Sequence, residues 1–159
     1  MYLKAHVHGL MVDPIKEMPI LVLKSDEDGR VLPIWIGHFE ANAIALQLEG
    51  IHVPRPMTHD LLCHVLDQAG YTLQRVLIRD LVDHTYFADL VLQSEGGEVT
   101  VDARPSDAVA LAVRKGADIF VEDTLYSKAD AVADASMDED SVHQWLEKLR
   151  PEDMGEYEM

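Results

Sequence analysis

The sequence predicts a mixed α+β domain, made from an internally duplicated β-β-β-α unit and followed by a C-terminal amphipathic helix. Three observations predict it. Short apolar runs bounded by polar or glycine-containing turns precede each of two apolar segments of helical length. The order of these runs repeats at an offset of 65 residues. The last quarter of the chain is acidic and carries one apolar stripe at helical spacing.

The repeat is visible residue by residue. Asn42-Ala43-Ile44-Ala45-Leu46 aligns with Asp107-Ala108-Val109-Ala110-Leu111. At the same offset, Ile34-Trp35-Ile36 falls on Val99-Thr100-Val101, and Leu21-Val22 on Tyr86-Phe87. Residues 5–12, 19–24 and 31–36 read as strands, with SDEDGR (25–30) as a polar turn. Gly37 breaks the pattern, and residues 39–49 read as a helix that stops at Gly50. HVPRP marks a loop, and residues 58–68 read as a second helix with Thr58 as its N-cap. In the second half, residues 72–80, 85–93 and 99–103 read as strands, with SEGGE as a turn. Residues 106–115 read as a helix capped by Ser106 and stopped by Gly116, and DIFVE (118–122) as a short buried strand. Both repeat helices are apolar around most of their circumference. Burial on several sides calls for a sheet that wraps them or for a subunit interface.

Ser136-Met137-Asp138-Glu139 has capping-box spacing, and Val142, Trp145, Leu146 and Leu149 mark one helical face. Pro151 ends that helix, and a loose tail follows. The helix packs on its own domain or docks on a neighbouring subunit. The organisation read here is a domain over residues 1–130, with repeats of about 1–65 and 66–130, then an acidic linker, helix and tail over 131–159.

Composition narrows the class. A chain of 159 residues that is 48% hydrophobic is globular and long enough for a core. No apolar stretch approaches the roughly 20 residues of a membrane span. MYLKAHVHGLMVD lacks the layout of a secretory signal. The single cysteine, Cys63, lies in apolar LLCHVL and reads as a buried thiol. A cytoplasmic protein with no membrane partner is expected. The formal net charge is −16, and residues 118–159 hold 13 acidic and 3 basic residues. Such a chain is a poor non-specific binder of nucleic acid, whose phosphates need Lys and Arg.

Residues 101–113, VDARPSDAVALAV, concentrate polar groups at the mouth of a buried helix. Asp102 and Arg104 alternate onto one face and are expected to pair. Ser106 is a good N-cap, and Asp107 lies where the helix dipole favours an anion. These residues shape the turn, form a site, or do both. The matching junction of the first repeat carries His38 and Glu40. If the two turns face one another, His38, Glu40, Asp102, Arg104 and Asp107 converge. RPMTHD (55–60) places His59 and Asp60 in the first turn of the second helix, with His64 one turn on. That set suits a divalent cation or an acid–base pair, or it decorates a helix start. His6 and His8 share a strand face but lack a third ligand nearby in sequence. A Gly-rich phosphate loop, a paired CxxC, a nucleophile elbow and HExxH are absent from the sequence.

LPIWIGHFEANAIALQLEG (32–50), RPMTHDLL (55–62) and DARPSDAVALAVR (102–114), in that order, resemble the bifunctional nuclease family, and FADL (87–90) sits where that family has a comparable strand. The resemblance covers roughly residues 1–130. It implies an internally duplicated α+β domain, homo-oligomers and, for some members, nuclease activity on DNA and RNA. The positions it carries over are His38, Glu40, His59, Asp60, Asp102, Arg104, Ser106 and Asp107. On this basis the leading expectation is metal-assisted phosphodiester hydrolysis. Glu40, Asp102 and Asp107 are expected to ligate Mg²⁺ or Mn²⁺. His38 or His59 is the expected general base, with Asp60 and Ser106 at the same site. Arg104 offers its planar fork to the phosphate. The alternative is a non-catalytic oligomeric binding or regulatory module, whose polar turns are clamps and whose acidic C-terminal helix binds a basic partner.

Overall fold

The computed structural model describes residues 1–133. Three strands open the chain: β1 (Tyr2–Val12), β2 (Pro19–Ser25) and β3 (Val31–Trp35). Helices α1 (His38–Leu48) and α2 (Thr58–Gln68) follow. A second set of strands, β4 (Thr72–Val82), β5 (Thr85–Ser94) and β6 (Gly97–Ala103), leads into α3 (Pro105–Lys115). β7 (Asp118–Glu122) and α4 (Asp123–Ala133) complete it. The strands make one mixed sheet in the order β3-β2-β1-β7-β4-β5-β6. Two antiparallel meanders, β1-β2-β3 and β4-β5-β6, flank β7. β7 pairs antiparallel with β1 and parallel with β4. The α+β class read from the sequence is the class that forms.

Alternation assigns the two faces of this sheet. Leu3 and Ala5 of β1, Ile119 and Val121 of β7, Val76 and Ile78 of β4, and Ala88, Leu90 and Leu92 of β5 point into one core. The helices lie on that face. α3 is the central one and buries seven of its eleven residues. Its alanines at 108, 110 and 112 let strands and helices approach closely, while Val109 and Leu111 fill the space between them. Each such buried aliphatic side chain contributes roughly 1.5–3 kcal/mol. Gly116 ends the helix in the left-handed region at φ 66, where a side chain is strained. α1 is less enclosed than the sequence suggests. It buries Ala43, Ile44, Ala45 and Leu46 but leaves Phe39 87% exposed.

α4 is a helix that the sequence reading omits. It begins on the residue after β7 ends, with no Gly, Pro or turn between them. It touches β3, β4 and β7, strands from both halves of the sheet, so the sheet curls around it. Leu125 and Tyr126 are its fully buried anchors, and Arg30 ion-pairs with Asp123 at its start. The expected amphipathic helix around Val142 and Trp145 lies outside the described residues. No described helix is long and apolar enough to cross a membrane.

Two cap assignments change. Met57, not Thr58, is the N-cap of α2. Asp60 at the third helical position reaches back to accept the Met57 N–H at 3.0 Å, so the acid performs the capping. Arg104, not Ser106, is the N-cap of α3, and Ser106 is buried as its second residue. Pro105 decides this boundary. Its fixed φ suits the first helical position, where an N–H has no partner to lose.

Candidate active site

Two helix starts meet here. Glu40 is the third residue of α1 and Asp107 the third residue of α3. Arg104 lies between them. Its Nε donates to Asp107 at 2.8 Å, and its Nη1 sits 3.0 Å from Glu40. The first turn of α2 adds His59, whose Nε2 is 2.9 Å from the other Asp107 oxygen. The cluster is therefore Glu40–Arg104–Asp107–His59, drawn from three helix N-termini, where the backbone dipoles favour carboxylates.

Burial differs along the cluster. The His59 side chain is 14% exposed and that of Asp107 30%, whereas Arg104 is 64% exposed. Burial alone raises the Asp107 carboxyl, but the Arg104 and His59 hydrogen bonds outweigh it and hold it below the ordinary carboxylate range. The Asp107 hydrogen bond lifts the Arg104 guanidinium further, so it stays charged. Gly37 has a spatial role. A Cβ there falls 2.1 Å from Glu40 Oε2, so glycine leaves room for the Glu40 carboxylate.

The expected convergence is thus met in part. Glu40, Arg104 and Asp107 come together, and His59 joins them. Asp102 does not pair with Arg104. It points outward from the edge strand β6, is 72% exposed, and pairs with Arg79 at 3.2 Å. Strand alternation ends at Ala103, and Arg104 turns away with the backbone that starts α3. Arg79 also holds Asp89 at 3.0 Å and stacks over Phe87. His38 is exposed at the first position of α1 and joins no described contact with the cluster. Ser106 is buried at the second position of α3.

The carboxylates expected to hold Mg²⁺ or Mn²⁺ do not share one position. Arg104 fills the space between Glu40 and Asp107, and Asp102 belongs to the Arg79 pair. Among the described residues, no three His, Cys, Asp or Glu side chains stand close enough to hold one ion. As arranged, the donor set does not fit a hard cation that takes several oxygens.

Asp60 has a different partner from any the sequence suggests. The buried Arg114 of α3 donates from Nε to Asp60 at 2.8 Å, from Nη1 to the Ala110 carbonyl, and from Nη2 to the Ala43 carbonyl of α1. One guanidinium thus ties α1, α2 and α3 together. Burial raises the Asp60 carboxyl, and the hydrogen bonds it accepts from Arg114 and from the Met57 N–H pull it below its ordinary value. The available sequence signal is spacing. Arg114 lies seven residues from Asp107, two turns along the same helical face. Beside this strut, a cleft of about 340 Å³ opens between the end of α1, the 51–56 loop and α2.

A family model described as the bifunctional nuclease domain matches residues 21–134. An uncharacterized protein of Mycobacterium tuberculosis is 37% identical over 161 positions, covering 94% of this chain and 96% of that protein. Bifunctional nuclease 1 of Arabidopsis thaliana is 32% identical over 100 positions, covering 60% of this chain. Bifunctional nuclease 2 of the same plant is 32% identical over 120 positions, covering 72% of this chain. The matched regions span 31% and 36% of those two plant relatives.

Proposed function

This chain belongs to the bifunctional nuclease domain family, and from that membership and the cluster around Asp107 we propose that it is a nuclease-like phosphodiesterase acting on DNA or RNA. The observation that carries the reading is the His59–Asp107 hydrogen bond beside an accessible arginine. His59 moves the proton. Its Nε2 is turned to Asp107, which leaves Nδ1 to meet the substrate. Asp107 orients the ring and stabilises the imidazolium when it forms, the role a buried carboxylate plays behind a catalytic histidine. Glu40 and Asp107 hold the Arg104 fork through Nη1 and Nε, and the remaining Nη2 faces a phosphate oxygen. On RNA the adjacent 2′-hydroxyl, and on DNA water, gives its proton to His59 as it attacks phosphorus. The P–O bond to the leaving nucleoside oxygen breaks, and the imidazolium returns the proton to that oxygen. No step here runs through a metal ion. The homo-oligomer implied by resemblance is part of the proposal, with Leu61, Leu62 and Val65 of α2 as exposed apolar contacts. Sedimentation velocity tests that part.

A second reading has its own observation. Both cluster carboxylates are already paired, as in a structural clamp. One experiment separates the two. Purified protein is assayed on single-stranded RNA and DNA with Mg²⁺, with Mn²⁺ and with EDTA, beside folded His59→Gln and Asp107→Asn variants. The proposal expects the variants to lose about 10²–10⁴-fold in rate while keeping their fold. Undiminished variant activity removes the site assignment, and an inactive wild type removes the nuclease reading. Retained activity in EDTA is expected, because the described residues form no metal cradle.

A further inference from the structure

We propose that the cleft beside α2 is a nucleobase subsite, one that seats the base next to the phosphate held at Arg104. The proposal rests on the nuclease reading. Its first support is position. Asp60, on the cleft wall, is the next residue after His59 in the first turn of α2. Arg114, also on the wall, is two turns along α3 from Asp107. The two places are therefore separated by about 10 Å along the helix, comparable with the reach of one nucleotide from phosphate to base.

The second support is the chemistry of the walls. Leu46, Ile51, Val53 and Pro54 give apolar surface. The Gln47 amide and the imidazoles of His52 and His64 give donors and acceptors at the edge. Walls that set apolar side chains beside as many polar ones, at the small end of ligand-site volumes, suit a compact ring whose faces are apolar and whose edges form hydrogen bonds. The third support is electrostatic, and it argues against an anion in the cleft itself. Arg114 is the wall's buried cation, and Asp60 neutralises it while two carbonyls take its other bonds. A neutral heteroaromatic ring with hydrogen-bonding edges fits a cleft of balanced charge. The phosphate goes to Arg104 instead, which keeps 64% of its side chain in water.

The test titrates four neutral nucleosides (adenosine, guanosine, cytidine and uridine) into the whole chain, following histidine ring resonances by NMR. The expected result is a saturable shift of His52 and His64 with at least one nucleoside, and none with inorganic phosphate at matched ionic strength. Gln47→Trp, at an exposed position in the last turn of α1, fills the cleft and should weaken nucleoside binding at least tenfold. Ile51→Trp, in the loop, is the second filling variant. His59→Gln should bind nucleosides within twofold of wild type. No saturable shift with any nucleoside, or full binding by both filled variants, overturns the subsite. A wild type that binds nucleosides but cleaves nothing ends the nuclease reading and leaves the subsite standing. Cleavage without nucleoside binding does the reverse.

Discussion

Asp60 and Asp107 occupy the third positions of α2 and α3, and each keeps its charge because an arginine and a further donor offset its burial. The pH consequence follows from the sign of the shift. Both folded carboxyls lie below their ordinary value, so protonation costs more in the folded chain than in the unfolded one. Their stabilisation is complete above about pH 4 and is lost as pH falls through the lowered folded values. Asp60→Asn removes its share. The variant should lose less stability than wild type between about pH 6 and about pH 3, measured by urea unfolding at each pH. Parallel losses refute the assignment. Arg114→Met removes the guanidinium bonds to Asp60 and to the Ala43 and Ala110 carbonyls and leaves Asp60 only the Met57 N–H among its described donors. The expected cost is about 3 kcal/mol, toward the low end for a broken buried pair because the Asp60 side chain is 25% exposed. A double variant with Asp60→Asn should cost less than the sum of the two single changes. Additivity indicates that the two residues do not act as a unit.

At the scale of elements, the two strand-to-helix junctions differ by two residues from the 65-residue offset. Asn42 and Asp107 align in sequence, yet Asn42 is the fifth residue of α1 and Asp107 the third of α3. The true positional counterpart of Asp107 is Glu40, and both acids hold Arg104. Pro105 accounts for the shift by fixing where α3 starts. Gly37→Ala places a methyl where the Glu40 carboxylate now lies. It should push Glu40 off Arg104 and lower the proposed nuclease activity with little change in melting temperature. Unchanged activity separates Glu40 from the reaction. α4 carries a stability prediction. Tyr126 is buried deeply enough that its hydroxyl pKa is pushed up to about 12. Tyr126→Ala removes the buried ring that α4 sets into the core beneath Arg30, and the expected loss is roughly 3–5 kcal/mol by chemical denaturation. A loss under about 1 kcal/mol would show that α4 does not brace the sheet.

The whole molecule sets the electrostatics of any encounter with nucleic acid. A chain of net charge −16 repels polyphosphate at long range, while Arg104 attracts it locally. Salt screens both, but the long-range term weakens first, as the Debye length falls from about 30 Å at 0.01 M to about 10 Å at 0.1 M. Binding of single-stranded nucleic acid should therefore depend only weakly on salt. The expected log–log slope is shallower than about −1, against about −0.7 for every phosphate neutralised by a basic binder. A steep negative slope refutes a contact made through one accessible arginine.

The fold class, the order of the strands and helices, and the cluster of polar groups before α3 were legible along the chain, because period, turn residues and proline act within a few positions of one another. The charge asymmetry was equally open to reading. α4 was not, since β7 passes into it with no turn residue to mark the change. Partner choice was not legible either. Asp102 looks available to Arg104 in sequence, but only the laid-out sheet brings Arg79 to it. Asp60 looks like a partner for His59 or His64, but only the packing of α3 against α1 and α2 brings Arg114 to it. His59 and Asp107, 48 residues apart, meet because two helix N-termini are held against one another. Local rules decide which residues stand at a helix start. The core that packs those starts together decides which of them touch.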